Sequence, residues 1–247
     1  MNHNQYGFVI PNYNHDAVIR QTIIDLIAFK LPIIIVDDGS NLTTQVILEA
    51  IDVDFNLVTL IRRAENGGKG AAVQTGLKAA IDLGWSHAIQ VDADGQHDLN
   101  DVQRLIEQSH KDPKALISGQ PIYDDSISKG RYYGRFVTHF WVYIETLSME
   151  LKDTMCGFRV YPLSAYASLI QKTSLGFKMD FDIEVMVKLS WQGVKVNFVK
   201  TKVHYPENGV SHFNVFEDNV LISLMHTKLF FGMLFRLPVL LKRKFTR

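Results

Sequence analysis

Leu31-Pro32-Ile33-Ile34-Ile35-Val36 is a run without a polar residue, and it stops at Asp37-Asp38-Gly39-Ser40. A strand with one face in water shows polar residues at every second position. A strand without them is buried on both faces, as in the middle of a parallel sheet. Parallel strands need long crossover connections, usually helices, and the first half of the chain supplies them. Gly7-Phe8-Val9-Ile10 is a short apolar run stopped by Pro11. Asp16 to Phe29 carries Ala17, Ile23, Ile24 and Ile27 at helical spacing. A helix follows around Thr44 to Ile51, a strand around Asn56 to Ile61, a helix over Ala71 to Leu83 and a strand to Val91. This alternation predicts an α/β fold, a doubly wound and mostly parallel sheet flanked by helices.

The second half is less regular. Helical spacing returns near Leu99 to Lys111. Lys129 to Glu145 is aromatic and basic, and Asp153 to Tyr161 reads as a loop leading into a strand. Asp182 to Trp191 reads as a helix closed by Gly193, before an alternating strand from Val194 to Val203. No linker or repeat divides the 247 residues, so one domain is expected over 1–215, followed by an apolar helical tail over 216–247. Equal numbers of acidic and basic residues, 26 each, argue against nucleic acid as a partner, since that needs a basic surface. The single cysteine, Cys156, forbids an internal disulfide and fits a reducing, cytoplasmic setting; in its apolar context it reads as a small buried hydrophobe. The polar, uncharged start does not read as a secretory signal.

Three strand ends carry polar clusters: Pro11-Asn12-Tyr13-Asn14, Asp37 to Ser40, and Asp92-Ala93-Asp94-Gly95-Gln96-His97. In open α/β sheets ligands bind outside the carboxyl ends of the strands. Alternating carboxylates followed by an amide are hard oxygen ligands. They suit Mg²⁺ or Mn²⁺, which bind through one or two carboxylates while substrate phosphates fill other positions. An isolated Asp-x-Asp is also what a solvated loop or a helix N-cap shows. Glu65-Asn66-Gly67-Gly68-Lys69-Gly70 precedes a helix whose N-terminus favours phosphate, and Lys69 adds a point charge. A tight turn needing φ > 0 explains the same glycines.

Taken together, these segments resemble the family 2 glycosyltransferases of the GT-A fold, in the dolichyl-phosphate mannosyltransferase-like branch. The later stretches Asp153-Thr154-Met155-Cys156-Gly157-Phe158-Arg159 and Gly209-Val210-Ser211-His212 add to the likeness, which runs from about Phe8 to Phe213. The resemblance implies inverting transfer of a sugar from a nucleotide-diphosphate donor. By the same resemblance Pro11, Asn12, Tyr13, Asp37, Asp38, Lys69, Gly70, Asp92 and Ala93 contact the nucleotide-sugar, while Asp92, Asp94 and Gln96 hold the metal. Asp182 is the candidate base, although a first-turn carboxylate favoured by the helix dipole looks the same. Asp153 is a second candidate that equally shapes an acceptor pocket. An acceptor that is already an ionised lipid phosphate needs no base.

Arg131 and Arg135, at i and i+4, fall where lipid-phosphate-using relatives bind the acceptor phosphate; the other reading is a solvated basic face. Arg159 either orients the acceptor loop or pairs with Asp153. His212 stands where relatives carry Lys or Arg. The tail is interrupted by Gly232, Arg236 and Pro238, which argues against a spanning helix and leaves an interfacial helix or a helix packed on the sheet. The expectation is a metal-dependent glycosyltransferase using a UDP- or GDP-sugar and a lipid-linked or lipid-phosphate acceptor, cytoplasmic and peripheral at a membrane. The alternatives are a soluble enzyme acting on a glycan or protein hydroxyl, and a non-catalytic sugar-nucleotide-binding module.

Overall fold

The computed structural model describes residues 5–123, 127, 129–203 and 213–246. Its strands are β1 (Tyr6–Asn12), β2 (Ile33–Asp37), β3 (Val58–Arg62), β4 (His87–Gln90), β5 (Leu116–Tyr123), β6 (Arg159–Pro162) and β7 (Val196–Val203). They form one sheet in the order β3-β2-β1-β4-β6-β5-β7. The pairs β2–β3, β1–β2, β1–β4 and β5–β7 are parallel, and β6 alone runs antiparallel to both neighbours. The mostly parallel sheet expected from the sequence is present.

All five residues of β2 are buried, and alternate side chains enter opposite layers. Ile34 and Val36 join the apolar layer under α3 (Lys69–Asp82), α6 (Leu163–Ile170), α7 (Phe181–Trp191) and α8 (Val215–Thr246). Ile33 and Ile35 join the layer under α1 (Asp16–Ile27), α2 (Leu42–Asp54) and α4 (Val102–Lys111). Helices on both faces are what an unbroken apolar strand requires. The chain leaves β1 towards β2 on one side, and β4 returns to the other. The carboxyl ends of β1 and β4 therefore flank a topological switch point, where such sheets open a crevice.

The long helices α5 (Lys129–Thr146) and α8 close the second half. One correction concerns α8. Gly232, Arg236 and Pro238 do not break it, and Val215–Lys244 is long and apolar enough by composition to cross a membrane. The helix survives its interruptions because neighbours take them up. Gly232 lies against the Trp191 ring, and the Arg236 guanidinium stacks 4.6 Å above that ring while donating to the Gly232 carbonyl. Met225, Leu229, Met233 and Leu240 form its buried stripe, and Phe231, Leu234, Phe235 and Val239 its exposed one. Arg243 Nη1 donates to the carbonyls of Ser190 and Trp191, capping the end of α7.

Candidate active site

A cavity of about 910 Å³ opens at the carboxyl ends of β1 and β4. Pro11, Asn12 and Tyr13 wall it from β1, and Asp38 from the turn after β2. Lys69, Asp92, Ala93, Asp94 and Gln96 form its floor, and Arg135 reaches in from α5. The polar clusters at three strand ends thus meet in one crevice. Gly134 and Thr138 on α5 and Asn219 and Ile222 on α8 also line it. Asn12 is 1% exposed, and neither its Nδ2 nor its Oδ1 has a hydrogen-bond partner among the described residues. Buried amide atoms are rarely left unpaired, so Asn12 is a place where this cavity calls for a polar ligand or water.

Lys69 sits at the centre of the floor. Its Nζ is 2.8 Å from Asp92 Oδ2 and 2.9 Å from Asp182 Oδ2. Burial opposes its charge, but the carboxylates of Asp182 and Asp92 outweigh that and raise its pKa. Burial likewise works against the Asp92 carboxylate, yet Lys69 and His97 hold its pKa well below the usual range. Asp182 stands in the first turn of α7, buried beneath the floor rather than in the cavity wall, with Arg159 Nη1 at 3.7 Å from its Oδ1. The Arg159 guanidinium donates to the carbonyls of Asp182 (2.7 Å) and Thr154 (2.8 Å). Its partner is therefore Asp182, not Asp153, because the loop before β6 turns Asp153 the other way.

Asp153 belongs to a second cluster. Its Oδ1 accepts from the backbone amides of Met155 and Cys156, while its Oδ2 accepts from Arg135 Nη1 at 2.7 Å. His139 Nε2 is 3.7 Å away, and the Arg135 guanidinium lies over the Tyr123 ring. Burial pushes the nearby Cys156 thiol up to about 12, which keeps it a neutral hydrophobe as expected. Arg131 stands one turn before Arg135 on α5, but its side chain is outside the described residues, as is His212.

The glycine loop is the tight turn that its glycines allow, with Gly68 at φ +94°, and Gly68 and Lys69 line the cavity. Gly67 and Gly68 donate their amides to the Asp38 carboxylate, and the Ala71 amide goes to the Phe177 carbonyl. A side chain at Gly68 (φ +94°) or Gly70 would strike the 176–178 segment or Phe181. These amides at the start of α3 are used by the protein itself, and the glycines admit a neighbouring loop. Asp37 is fully buried and does not line the cavity; it accepts from the Ser40 amide and from Arg62 Nε. Asp38 lines the cavity and is also paired with Arg63 at 2.7 Å.

Asp92, Asp94 and Gln96 share the floor, and Asp94 Oδ1 accepts from the Gln96 amide at 3.1 Å. No group of three or more His, Cys, Asp or Glu side chains converges to hold a metal among the described residues. Two carboxylates facing an open, phosphate-sized space fit Mg²⁺ or Mn²⁺ arriving with a diphosphate, which supplies the missing oxygens. They do not fit a resident ion in a protein cage.

The sequence reading gave no role to three participants, although it included His97 in the Asp92 to His97 cluster. His97 packs 3.5 Å from Asp92 against the Phe158 ring. Gln90 and Tyr161 are buried in the sheet beside Asp92. The available signal was Gln90 itself, a polar residue inside the run Ala88-Ile89-Gln90-Val91.

Comparison with known proteins gives the family and the fold. The family model described as glycosyl transferase family 2 matches residues 8–173. A UDP-N-acetylglucosamine–dolichyl-phosphate N-acetylglucosaminyltransferase of Methanococcus voltae is 29% identical over 180 residues, covering 66% of this chain and 72% of that one. A dolichyl-phosphate β-glucosyltransferase of Dictyostelium discoideum is 23% identical over 236 residues, covering 87% and 70%. Among solved structures, glucosyl-3-phosphoglycerate synthase of Mycobacterium tuberculosis, in complex with Mn²⁺, UDP and phosphoglyceric acid, superposes with a TM-score of 0.68. That match has 15% identity and covers 93% of this chain and 78% of the other.

Proposed function

This chain belongs to glycosyl transferase family 2, and on that premise we propose that it passes a hexose from a UDP- or GDP-sugar to a lipid-phosphate acceptor, with inversion. It has the GT-A fold and is a glycosyltransferase with dolichyl-phosphate sugar transferases among its relatives. Pro11, Asn12 and Tyr13 would receive the nucleoside, with Asp38 in that wall and Asp37 behind it, holding the Ser40 amide. Asp92, Asp94 and Gln96 would hold Mg²⁺ or Mn²⁺ against the diphosphate. That ion, when bound, stabilises the negative charge on the departing nucleoside diphosphate.

The observation that carries the acceptor class is the pairing of the two carboxylates available as a base. Asp182 is neutralised by Lys69 and Arg159, and Asp153 by Arg135. A general base has to lie within hydrogen-bond reach of the proton it takes, and these two carboxylates are engaged by cations and do not line the cavity. A phosphate oxygen arrives already ionised and needs no base. Arg135, at the cavity wall, is the cation that would meet it, with Arg131 one turn away on the same helix.

A lipid acceptor also suits the outer surface. Only 22% of the most apolar window of α8 is buried, and α5 exposes Tyr133, Phe136, Val137 and Phe140 beside the cavity mouth. We assign residues 216–247 to membrane contact at the cytoplasmic face, with 1–215 as the transferase domain. The test is transfer from UDP- and GDP-sugars with Mn²⁺ to a polyprenyl phosphate and to the matching polyprenol. Product with the phosphate alone is expected. Equal transfer to the alcohol would show that a base is at work and overturn this assignment.

A further inference from the structure

Gln90 is fully buried on β4, and its neighbours decide which way its amide is turned. The antiparallel register places Gln90 opposite Arg159 and Ala88 opposite Tyr161, so Gln90, Arg159 and Tyr161 share one face of the sheet. Arg159 is fully buried and can only donate. Its Nη1 lies 3.4 Å from Tyr161 Oη, so the phenol oxygen accepts there. The phenol proton then goes to Gln90 Oε1 at 3.0 Å. With its oxygen committed, the Gln90 amide presents Nε2 to Asp92 Oδ1 at 3.3 Å. A donor-only group at one end and a carboxylate at the other leave the chain a single direction.

The remaining contacts close a ring. Asp92 Oδ2 meets Lys69, Lys69 meets Asp182, and Asp182 returns to Arg159. Gly157 lets the Asp92 carboxylate lie against the backbone, since a side chain there would collide with both carboxylate oxygens. Charge at both ends strengthens such a hydrogen-bond chain, and the low dielectric of the sheet interior strengthens it further.

We propose that Arg159, Tyr161 and Gln90 are positioning residues for the donor, fixing how Asp92 faces an incoming nucleotide. The inference rests on the nucleotide-sugar reading of the cavity. It moves Arg159 from the acceptor side of the reaction, where the family resemblance put it, to the donor side. Both oxygens of Asp92 are held, Oδ1 by Gln90 and Oδ2 by Lys69, so its carboxylate is oriented before any ligand arrives. Preorganisation of that kind lowers the cost of binding.

The test is calorimetric titration of UDP and GDP with Mn²⁺ into the wild type, Tyr161→Phe, Gln90→Leu and the double variant, together with KM values for sugar donor and acceptor. Each single variant breaks the chain at a different link. Each is expected to weaken the bound nucleotide about tenfold. The double variant should be no weaker than the poorer single, because the relay acts as a unit. Donor KM should follow affinity, while acceptor KM stays unchanged; a general packing defect would move both. Unchanged nucleotide affinity, losses that multiply in the double variant, or a rise confined to acceptor KM would each overturn the relay. A wild type that binds neither nucleotide overturns both the relay and the nucleotide-sugar reading. Insensitive variants of a binding wild type overturn the relay alone. If Gln90→Leu does not fold, Gln90→Glu replaces it, keeping the shape but presenting a carboxylate to Asp92, with the same loss expected.

Discussion

Lys69 Nζ stands 2.8 Å from Asp92 Oδ2, so the cation of the glycine loop is bound to the first carboxylate of the Asp-x-Asp cluster. Lys69 also reaches Asp182, and its side chain is 19% exposed. Replacing it with methionine keeps the length and apolar bulk but leaves two carboxylates facing each other with one cation, Arg159, near only one of them. Breaking a buried ion pair from one side costs about 3–5 kcal/mol because the stranded charge remains. We expect Lys69→Met to lose about 3 kcal/mol in urea denaturation and Lys69→Met/Asp182→Asn to recover part of it. A single variant as stable as the wild type would mean that the pairing contributes nothing to the fold.

The sequence showed the crevice more clearly than it showed the wiring inside it. Pro11-Asn12-Tyr13, Asp38 and Asp92 to Gln96 each interrupt an apolar run, and a parallel sheet brings such interruptions to one edge. β5 and α6 were invisible for local reasons. Pro121 sits inside β5, where proline normally argues against a strand, and α6 has only 8 residues, too few to set up a clear helical period. The glycine loop was legible as a tight turn, but glycine marks close approach without saying of what. Here Gly68 and Gly70 meet residues 176–181, far along the chain. The pairing of Asp182 with Lys69, and of Asp153 with Arg135, joins elements that only the folded sheet brings together. Side-chain partners at long separation leave no periodic trace in a sequence.

Gly134 is an exposed glycine within α5, where glycine costs about 1 kcal/mol relative to alanine. Among the described residues nothing lies within 4 Å of where its Cβ would be, so none of them requires glycine for packing, yet it lines the cavity. A side chain there would project into open space at the cavity edge. Gly134→Leu should leave the melting temperature equal or higher while raising acceptor KM about tenfold or more, with donor KM unaffected. Unaltered acceptor KM would place the acceptor elsewhere.

Stability should fall on acidification below neutrality. Burial holds the His87 imidazole below its ordinary 6.5; the Pro113 carbonyl opposes this and His110 adds to it. His139 shifts the same way, by burial first, against the pull of Asp153. The folded chain binds these protons less readily than the unfolded chain. Their contribution is therefore complete above pH 6.5 and lost as pH drops through the lower folded values. Glu145 has the opposite sign. Burial raises it from 4.5 against the pull of His226, so its contribution is complete below 4.5 and fades as pH rises through the folded value. Chemical denaturation at pH 7.5 and 5.5 should show the loss, at most about 1.4 kcal/mol per pH unit for each histidine. His87→Asn should flatten that slope, and an identical slope would remove His87 as its source.

Phe235 is 87% exposed and Leu234 44% exposed, on the face of α8 opposite its buried stripe. Large apolar side chains gathered along one helix face gain free energy by entering a headgroup region, roughly in proportion to the area buried there. Glutamates at these two positions oppose that burial without touching the core, because both side chains already stand in solvent. The double variant Leu234→Glu/Phe235→Glu should keep its stability within about 0.5 kcal/mol of the wild type, the ordinary range for surface changes. It should lose most of its co-sedimentation with phosphatidylglycerol-containing vesicles. If the wild type stays in the supernatant at low salt, the exposed face of α8 is not a membrane surface, and a water-soluble acceptor becomes the better reading of the cavity.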